Sequence, residues 1–109
     1  MRLPHTCIIS EVKLTKYLLV QRPWDDKSAF LAAAGFSLAD WPKLRDAIQS
    51  LARSTETVED GVNPWGTFYR TDGDLVGPNL SLAVTLIWIN RAVDGQYHFV
   101  TLKPRKAKS

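Results

Sequence analysis

The apolar side chains of this chain change period near residue 55, and that switch limits the fold to helices first and a sheet second. Before it, Trp41, Leu44, Ala47, Ile48, Leu51 and Ala52 share one helical face, while Lys43, Arg45, Asp46 and Gln49 fall elsewhere. Ser37 or Asp40 can cap this helix and Pro42 suits its first turn, so the pattern predicts a helix ending about Arg53. Residues 54–64, STETVEDGVNP, are polar and turn-rich and mark the boundary between helical and extended structure. In LSLAVTLIWIN the period becomes two: Leu82, Val84, Leu86, Trp88 and Asn90 alternate with Ala83, Thr85, Ile87 and Ile89. Both sets are largely apolar, which predicts a central strand over 81–90 covered on both faces.

The remaining elements follow from local chemistry. Residues 6–9 read as extended. Ser10 can then cap a helix with Val12, Leu14, Tyr17, Leu18 and Leu19 on its apolar side, stopped by Pro23 in QRPW. Asp25 or Asp26 can cap a second helix, in which Phe30, Leu31 and Ala34 repeat at helical spacing and Gly35 is the stop. Three consecutive alanines, Ala32 to Ala34, suggest close packing against another element. After the boundary come a strand over 67–70, a TDGD turn, a short extended LV and a GPN turn at 77–79. Past 81–90, Asp94-Gly95 turns the chain into a last strand from Tyr97 to Leu102. Short connections of this kind favour an α+β fold, with N-terminal helices packed on one face of a C-terminal antiparallel β-sheet meander. Residues 1–104 are expected to form one domain and 105–109 a basic tail.

Charge is informative through its location. The net charge is +3, from 14 Lys and Arg against 11 Asp and Glu. Four of the basic residues, Lys103, Arg105, Lys106 and Lys108, lie in the last seven positions, leaving residues 1–102 at −1. The basic pI therefore belongs to the tail, which can add nonspecific, salt-sensitive attraction to nucleic acid. No apolar run approaches the roughly 20 residues that span a bilayer, and MRLPHTCIIS reaches polar residues too soon for a signal-peptide core. A cytoplasmic protein without membrane contact is expected. Cys7 is the single cysteine; beside Ile8 and Ile9 it reads as a buried, inert thiol.

No phosphate-binding glycine loop, nucleophile elbow or cysteine–histidine metal spacing is present, and neither a metal nor another cofactor is expected. Turn chemistry accounts for Asp72 and Asp74 around Gly73. His5 and His98 are distant in sequence. Tyr69, Arg70, Trp88, Tyr97, His98 and Thr101 lie on the expected sheet, where basic, aromatic and hydroxyl groups can bind RNA through stacking and phosphate contacts. Alternation assigns Tyr97, Phe99 and Thr101 to one face and His98 and Val100 to the other. In a metal-free ribonuclease, Lys27, Arg70 and His98 are the candidate catalytic groups, moving the proton of a 2′-hydroxyl or offsetting phosphorane charge. Tyr69, Tyr97, Lys103 and Arg105 are the candidate RNA contacts. Lys27 carries a second argument, since a lysine at a helix start facing a groove can hold a phosphate.

The segments KLTKYLL (13–19), DKSAFLAAAGFS (26–37), WGTFY (65–69), LVGPN (75–79), TLIWI (85–89) and FVTLKP (99–104) follow in one order. That order resembles an uncharacterised small bacterial α+β domain family, with no established activity, over nearly the whole chain. The helix-then-meander layout is more loosely similar to the barnase/EndoU/colicin/RelE-like toxin nucleases. Family members tend to carry a His-Pro and a Gly ahead of the lysine. Here Arg22-Pro23-Trp24-Asp25-Asp26-Lys27 keeps the lysine, and Tyr17, Gly66 and Tyr69 also match, but the histidine and glycine are missing. The resemblance implies a ribonuclease-toxin-like, RNA-acting domain. The alternative is a noncatalytic interaction module that partners another small protein, as in a toxin–antitoxin pair, recognisable by an exposed apolar patch or an unpaired strand edge.

Overall fold

The structure, a computed structural model, describes residues 2–3, 7–19 and 27–105. Its elements in chain order are a π-helix Lys13–Leu18, α1 (Ser28–Ala33), α2 (Trp41–Ser54) and four strands. The strands are β1 (Thr57–Asn63), β2 (Gly66–Val76), β3 (Ser81–Arg91) and β4 (Tyr97–Pro104). They form one antiparallel sheet in the order β1-β2-β3-β4, a meander. Ile8 extends it beyond β4: its N–H donates to the Tyr97 carbonyl at 2.7 Å, and its carbonyl accepts from Phe99 at 2.8 Å. The α+β arrangement, with helices N-terminal and strands C-terminal, is the one the two periodicities predict. His5, the Pro23 stop, the Asp25 or Asp26 cap and the end of the basic tail lie outside the described residues.

The inner face of the sheet is the core. On β3, Leu82, Val84, Leu86 and Trp88 are buried; Leu75 on β2 and Phe99 and Leu102 on β4 join them. The apolar stripe of α2, through Leu44, Ile48, Leu51 and Ala52, closes over them. This helix crosses β2 at Gly73, where a methyl group would lie 2.7 Å from Leu51 Cδ1. That approach explains the first difference from the sequence pattern. TDGD is not a turn but the middle of an 11-residue strand paired throughout with β3. Gly73 is there for the helix, and Asp72 finds partners within the sheet. The second difference is β1, which falls inside the stretch read as a boundary. Apart from Thr57 its residues are exposed, so an edge strand with one wet side and a bulge between Glu59 and Gly61 carries no apolar alternation.

Two features pin the interior. Trp88 Nε1 donates to Thr71 Oγ1 at 3.2 Å, and Thr71 Oγ1 lies 2.6 Å from Thr57 Oγ1. All three side chains are fully buried, so hydrogen bonding offsets their desolvation. α1 ends where expected: Gly35 adopts φ 98°, Phe36 N–H reaches the Leu31 carbonyl and Gly35 N–H the Ala32 carbonyl, satisfying the last turn. Of the three alanines only Ala34 makes a close approach, its carbonyl accepting from Asn79 at 2.8 Å, while Ala32 and Ala33 are exposed.

Residues of β3 on the outer face, Ala83, Thr85, Ile87 and Ile89, are half-buried. The expected central strand is therefore fully covered on its inner face, where α2 lies over Gly73, and only half-covered on its outer face. Asp40 takes the cap position of α2 without a side-chain capping bond, and Ser37 Oγ accepts from Asp40 N–H at 3.3 Å, just ahead of the helix.

Candidate functional site

Among the described residues, two cavities of the outer face share one wall residue. The first, about 380 Å³, lies where the π-helix and Lys27 approach β4; Ser10, Lys13, Tyr17, Lys27, Val100 and Thr101 line it. The second, about 710 Å³, lies at the far end of the sheet, between the β1–β2 and β3–β4 turns. Trp65, Phe68, Ile89, Arg91, Val93 and Val100 are among its walls. Val100 is common to both.

Local chain geometry makes the first cavity. The hydrogen bond from Leu19 N–H to the Leu14 carbonyl, at 3.0 Å, widens the helix to five residues per bond. Leu14 and Leu18 remain buried, but Val12 and Tyr17 are 53% and 49% exposed. Thus Tyr17, read from the sequence as core, belongs to a cavity wall. On the facing strand, β4 has a bulge opposite Ile87 and Trp88: Phe99 pairs with Trp88, but Thr101, not Val100, pairs with Ile87. The extra residue brings Val100 and Thr101 to the same side. Simple alternation had grouped Thr101 with Tyr97 and Phe99, and the bulge corrects that.

The second cavity depends on two tight turns. Asn63 Oδ1 accepts from the backbone N–H groups of Trp65 (2.9 Å) and Gly66 (3.2 Å), and Ala92 N–H donates to the Trp65 carbonyl at 2.9 Å. In the β3–β4 turn, Gly95 takes φ 67° as the Asp94-Gly95 signal predicts, and Asp94 Oδ1 accepts from Gln96 N–H at 2.8 Å. The Asp94 carboxyl is held below its ordinary value, first by that backbone bond and, against some desolvation, by His98 and Arg91.

The candidate residues fall into separate groups. Lys27 lines the first cavity. Arg70 is on the outer face, but its guanidinium is shared between Asp60 at 3.2 Å and Asp72 at 3.0 Å. Asp72 also accepts from Thr85 Oγ1 at 2.6 Å. Desolvation raises the Asp72 carboxyl, but the Thr85 and Arg70 hydrogen bonds, with the charges of Arg70 and Arg105, bring it below its usual value. In the cross-strand row Arg70–Ile87–Thr101, Arg70 stands two strands from Thr101, about 10 Å away. His98 sits opposite Ile89, with Nε2 3.3 Å from Asp94 Oδ2, and lines neither cavity.

Tyr69 and Tyr97 are on the inner face, half-buried, with ring centroids 5.4 Å apart. Desolvation first, then Tyr97, raise the Tyr69 phenol. Lys103, paired with Thr85, is exposed on the outer face, and exposed Arg105 is anchored by its N–H to the Ala83 carbonyl at 2.9 Å. Lys13, Tyr17, Trp65 and Arg91 are cavity residues that the sequence did not mark as catalytic or RNA-contacting, whereas Thr101 was among the sheet residues read as able to bind RNA. An aromatic ring directly after Pro64 in a polar turn was the one available sign for Trp65.

Cys7 is buried, and desolvation pushes its thiol up, against a smaller opposing effect of Arg53. Among the described residues no three His, Cys, Asp or Glu side chains gather as metal ligands. No described helix is long and apolar enough to cross a membrane. A family model for a domain of unknown function, DUF6883, matches residues 3–106. The searches of curated proteins and of solved structures gave no match.

Proposed function

We propose that this chain, which belongs to the DUF6883 family of domains of unknown function, is an RNA-acting domain that holds a single strand against the outer face of its sheet. The observation that carries the reading is the convergence of Lys13 and Lys27 with the hydroxyls of Ser10, Tyr17 and Thr101 in one cavity. Two ammonium groups attract a phosphate, and hydroxyls that donate and accept suit its oxygens and a neighbouring 2′-hydroxyl. Lys103 lies on the same face of β4 and extends the positive track. If the domain cleaves RNA, the 2′-oxygen attacks phosphorus, the bond to the 5′-oxygen breaks, and a proton passes from the 2′-hydroxyl to that leaving oxygen. In that step Lys13 and Lys27 offset the charge on the phosphorane oxygens. A ribonuclease of this kind acts where RNA is, in the bacterial cytoplasm.

The test is fluorescence anisotropy of a labelled ten-nucleotide single-stranded RNA over a range of salt, with the wild type and a Lys13→Ala/Lys27→Ala variant. Each lost phosphate contact lowers the slope of log K against log salt by about 0.7 on single strands, so the double variant is expected to lose about 1.4. Equal slopes and affinities refute the reading. The same RNA, resolved on a gel after incubation with a chelator, reports cleavage.

A second reading, a noncatalytic module paired with another small protein, draws on β1, an edge strand of the sheet. The bulge at Asp60, with Glu59 beside it, interrupts that edge in the way that discourages added strands. The groove reading is preferred for that reason.

A further inference from the structure

We infer that the cavity at the Trp65 end of the outer face is a subsite for one unpaired nucleobase, next to the phosphate held by Lys13 and Lys27. The inference rests on the RNA reading above and names what lies beside the phosphate. Trp65 is 73% exposed and Val93 78%, a large apolar area to leave in water in a domain of this size. The exposure does not come from a loose loop. Two bonds to the Asn63 carboxamide and one from Ala92 fix the backbone that carries Trp65 beside the cavity.

The walls match a base. Phe68, Ile89 and Val100 are apolar, and the volume of about 710 Å³ falls within the range of small-ligand sites. An aromatic ring offers a stacking surface to any base. The Arg91 guanidinium, 3.9 Å from Asp94 and 46% exposed, can stack on the base or donate to its edge.

Position decides the ligand class. Val100 is a wall of both cavities, so a ligand lying across it reaches the apolar cavity on one side and the lysine-lined one on the other. A planar, weakly polar group joined at short range to an anion is a nucleotide. The base must be unstacked and unpaired to enter, so the substrate is a single strand, a loop or a frayed end, and not continuous duplex.

The experiment pairs Trp65→Ala and Trp65→Phe with RNA carrying an abasic residue at each position in turn. Trp65→Ala is expected to weaken single-strand binding about 5- to 150-fold, the range for loss of one base stack. Trp65→Phe should stay within a few-fold of wild type. Trp65→Ala should leave the salt slope unchanged, since no phosphate contact is lost. One abasic position should weaken the wild type by a similar factor and have no further effect on Trp65→Ala, and duplex RNA should compete poorly. Matching circular dichroism and melting curves confirm that the exposed substitution leaves the fold intact.

If Trp65→Ala binds within twofold of wild type while the double lysine variant shows its reduced slope, the base subsite is refuted and the RNA reading stands. Loss of a co-purifying protein on Trp65→Ala, with RNA affinity unchanged, assigns the cavity to a protein side chain and also overturns the inference. Wild-type protein that binds no RNA overturns both.

Discussion

Replacing Thr71 by valine removes one hydroxyl from the interior while keeping the side-chain shape. That hydroxyl accepts from Trp88 Nε1 at 3.2 Å and is bonded to Thr57 Oγ1 at 2.6 Å, with all three side chains fully buried. Valine leaves no void, so the cost is that of polar groups deprived of a partner. The indole N–H loses the bond that offsets its burial, about 1–3 kcal/mol, and the Thr57 hydroxyl loses one bond, about 0.5–1.5 kcal/mol. A destabilisation of about 1.5–4.5 kcal/mol follows. At an unfolding entropy near 2.1 cal/mol/K per residue, Tm falls by about 7–20 °C. Urea unfolding followed by tryptophan fluorescence measures the free energy, and a cycle with Trp88→Phe isolates the indole bond. In the phenylalanine background Thr71→Val should cost about 1–2 kcal/mol less. An unchanged urea midpoint, or the same cost in both backgrounds, refutes the reasoning.

Gly77→Ala should destabilise by about 1–3 kcal/mol in the same assay, because the new methyl would stand 2.5 Å from the Ala34 carbonyl oxygen, which is backbone and cannot swing aside. The lowered Asp72 carboxyl makes folding favour its ionised form, so its contribution is present above the ordinary value of 3.8 and is lost as pH falls through the lower folded value. Asp72→Asn should therefore flatten the fall in stability between about pH 5 and 2, read from urea midpoints across that range; an unchanged acid limb would contradict the assignment. Tyr17→Phe keeps the ring and removes a hydroxyl from the lysine-lined cavity. It should weaken RNA binding severalfold with the salt slope unchanged, and the anisotropy assay above reads both.

How far the sequence carried depended on where each signal is stored. α2 was legible because its six apolar positions recur at one spacing and Pro42 marks its start. The Gly35 stop, the 77–79 turn and the Asp94-Gly95 turn were legible because each needs its residue type locally. β1 was not: its side chains are mostly exposed, so nothing in TVEDGVN registers the pairing that makes it a strand. Asp72 and Gly73 look like turn residues because their reasons to be in a strand, Thr85 and Arg70 for one and Leu51 for the other, are distant in sequence. The site was less legible than the fold. Lys27 was singled out from its own neighbourhood, but its cavity companions Tyr17 and Thr101 depend on the π-turn and the bulge, both departures from ideal periodicity. Trp65 is placed by Asn63 and Ala92, from two different turns.

The bulge in β4 makes Val100 the one residue between Phe99 and Leu102 that the ladder does not use. A substitution of Val100 by another branched side chain keeps an apolar wall there. Deleting Val100 would leave a regular ladder, with Phe99 opposite Trp88, Thr101 opposite Ile87 and Leu102 opposite Leu86, and every remaining side chain on the face it has now; what would go is the wall common to the two cavities. A one-residue gap here would therefore mark a relative that had kept the sheet and its core but had lost the side chain standing between the two cavities.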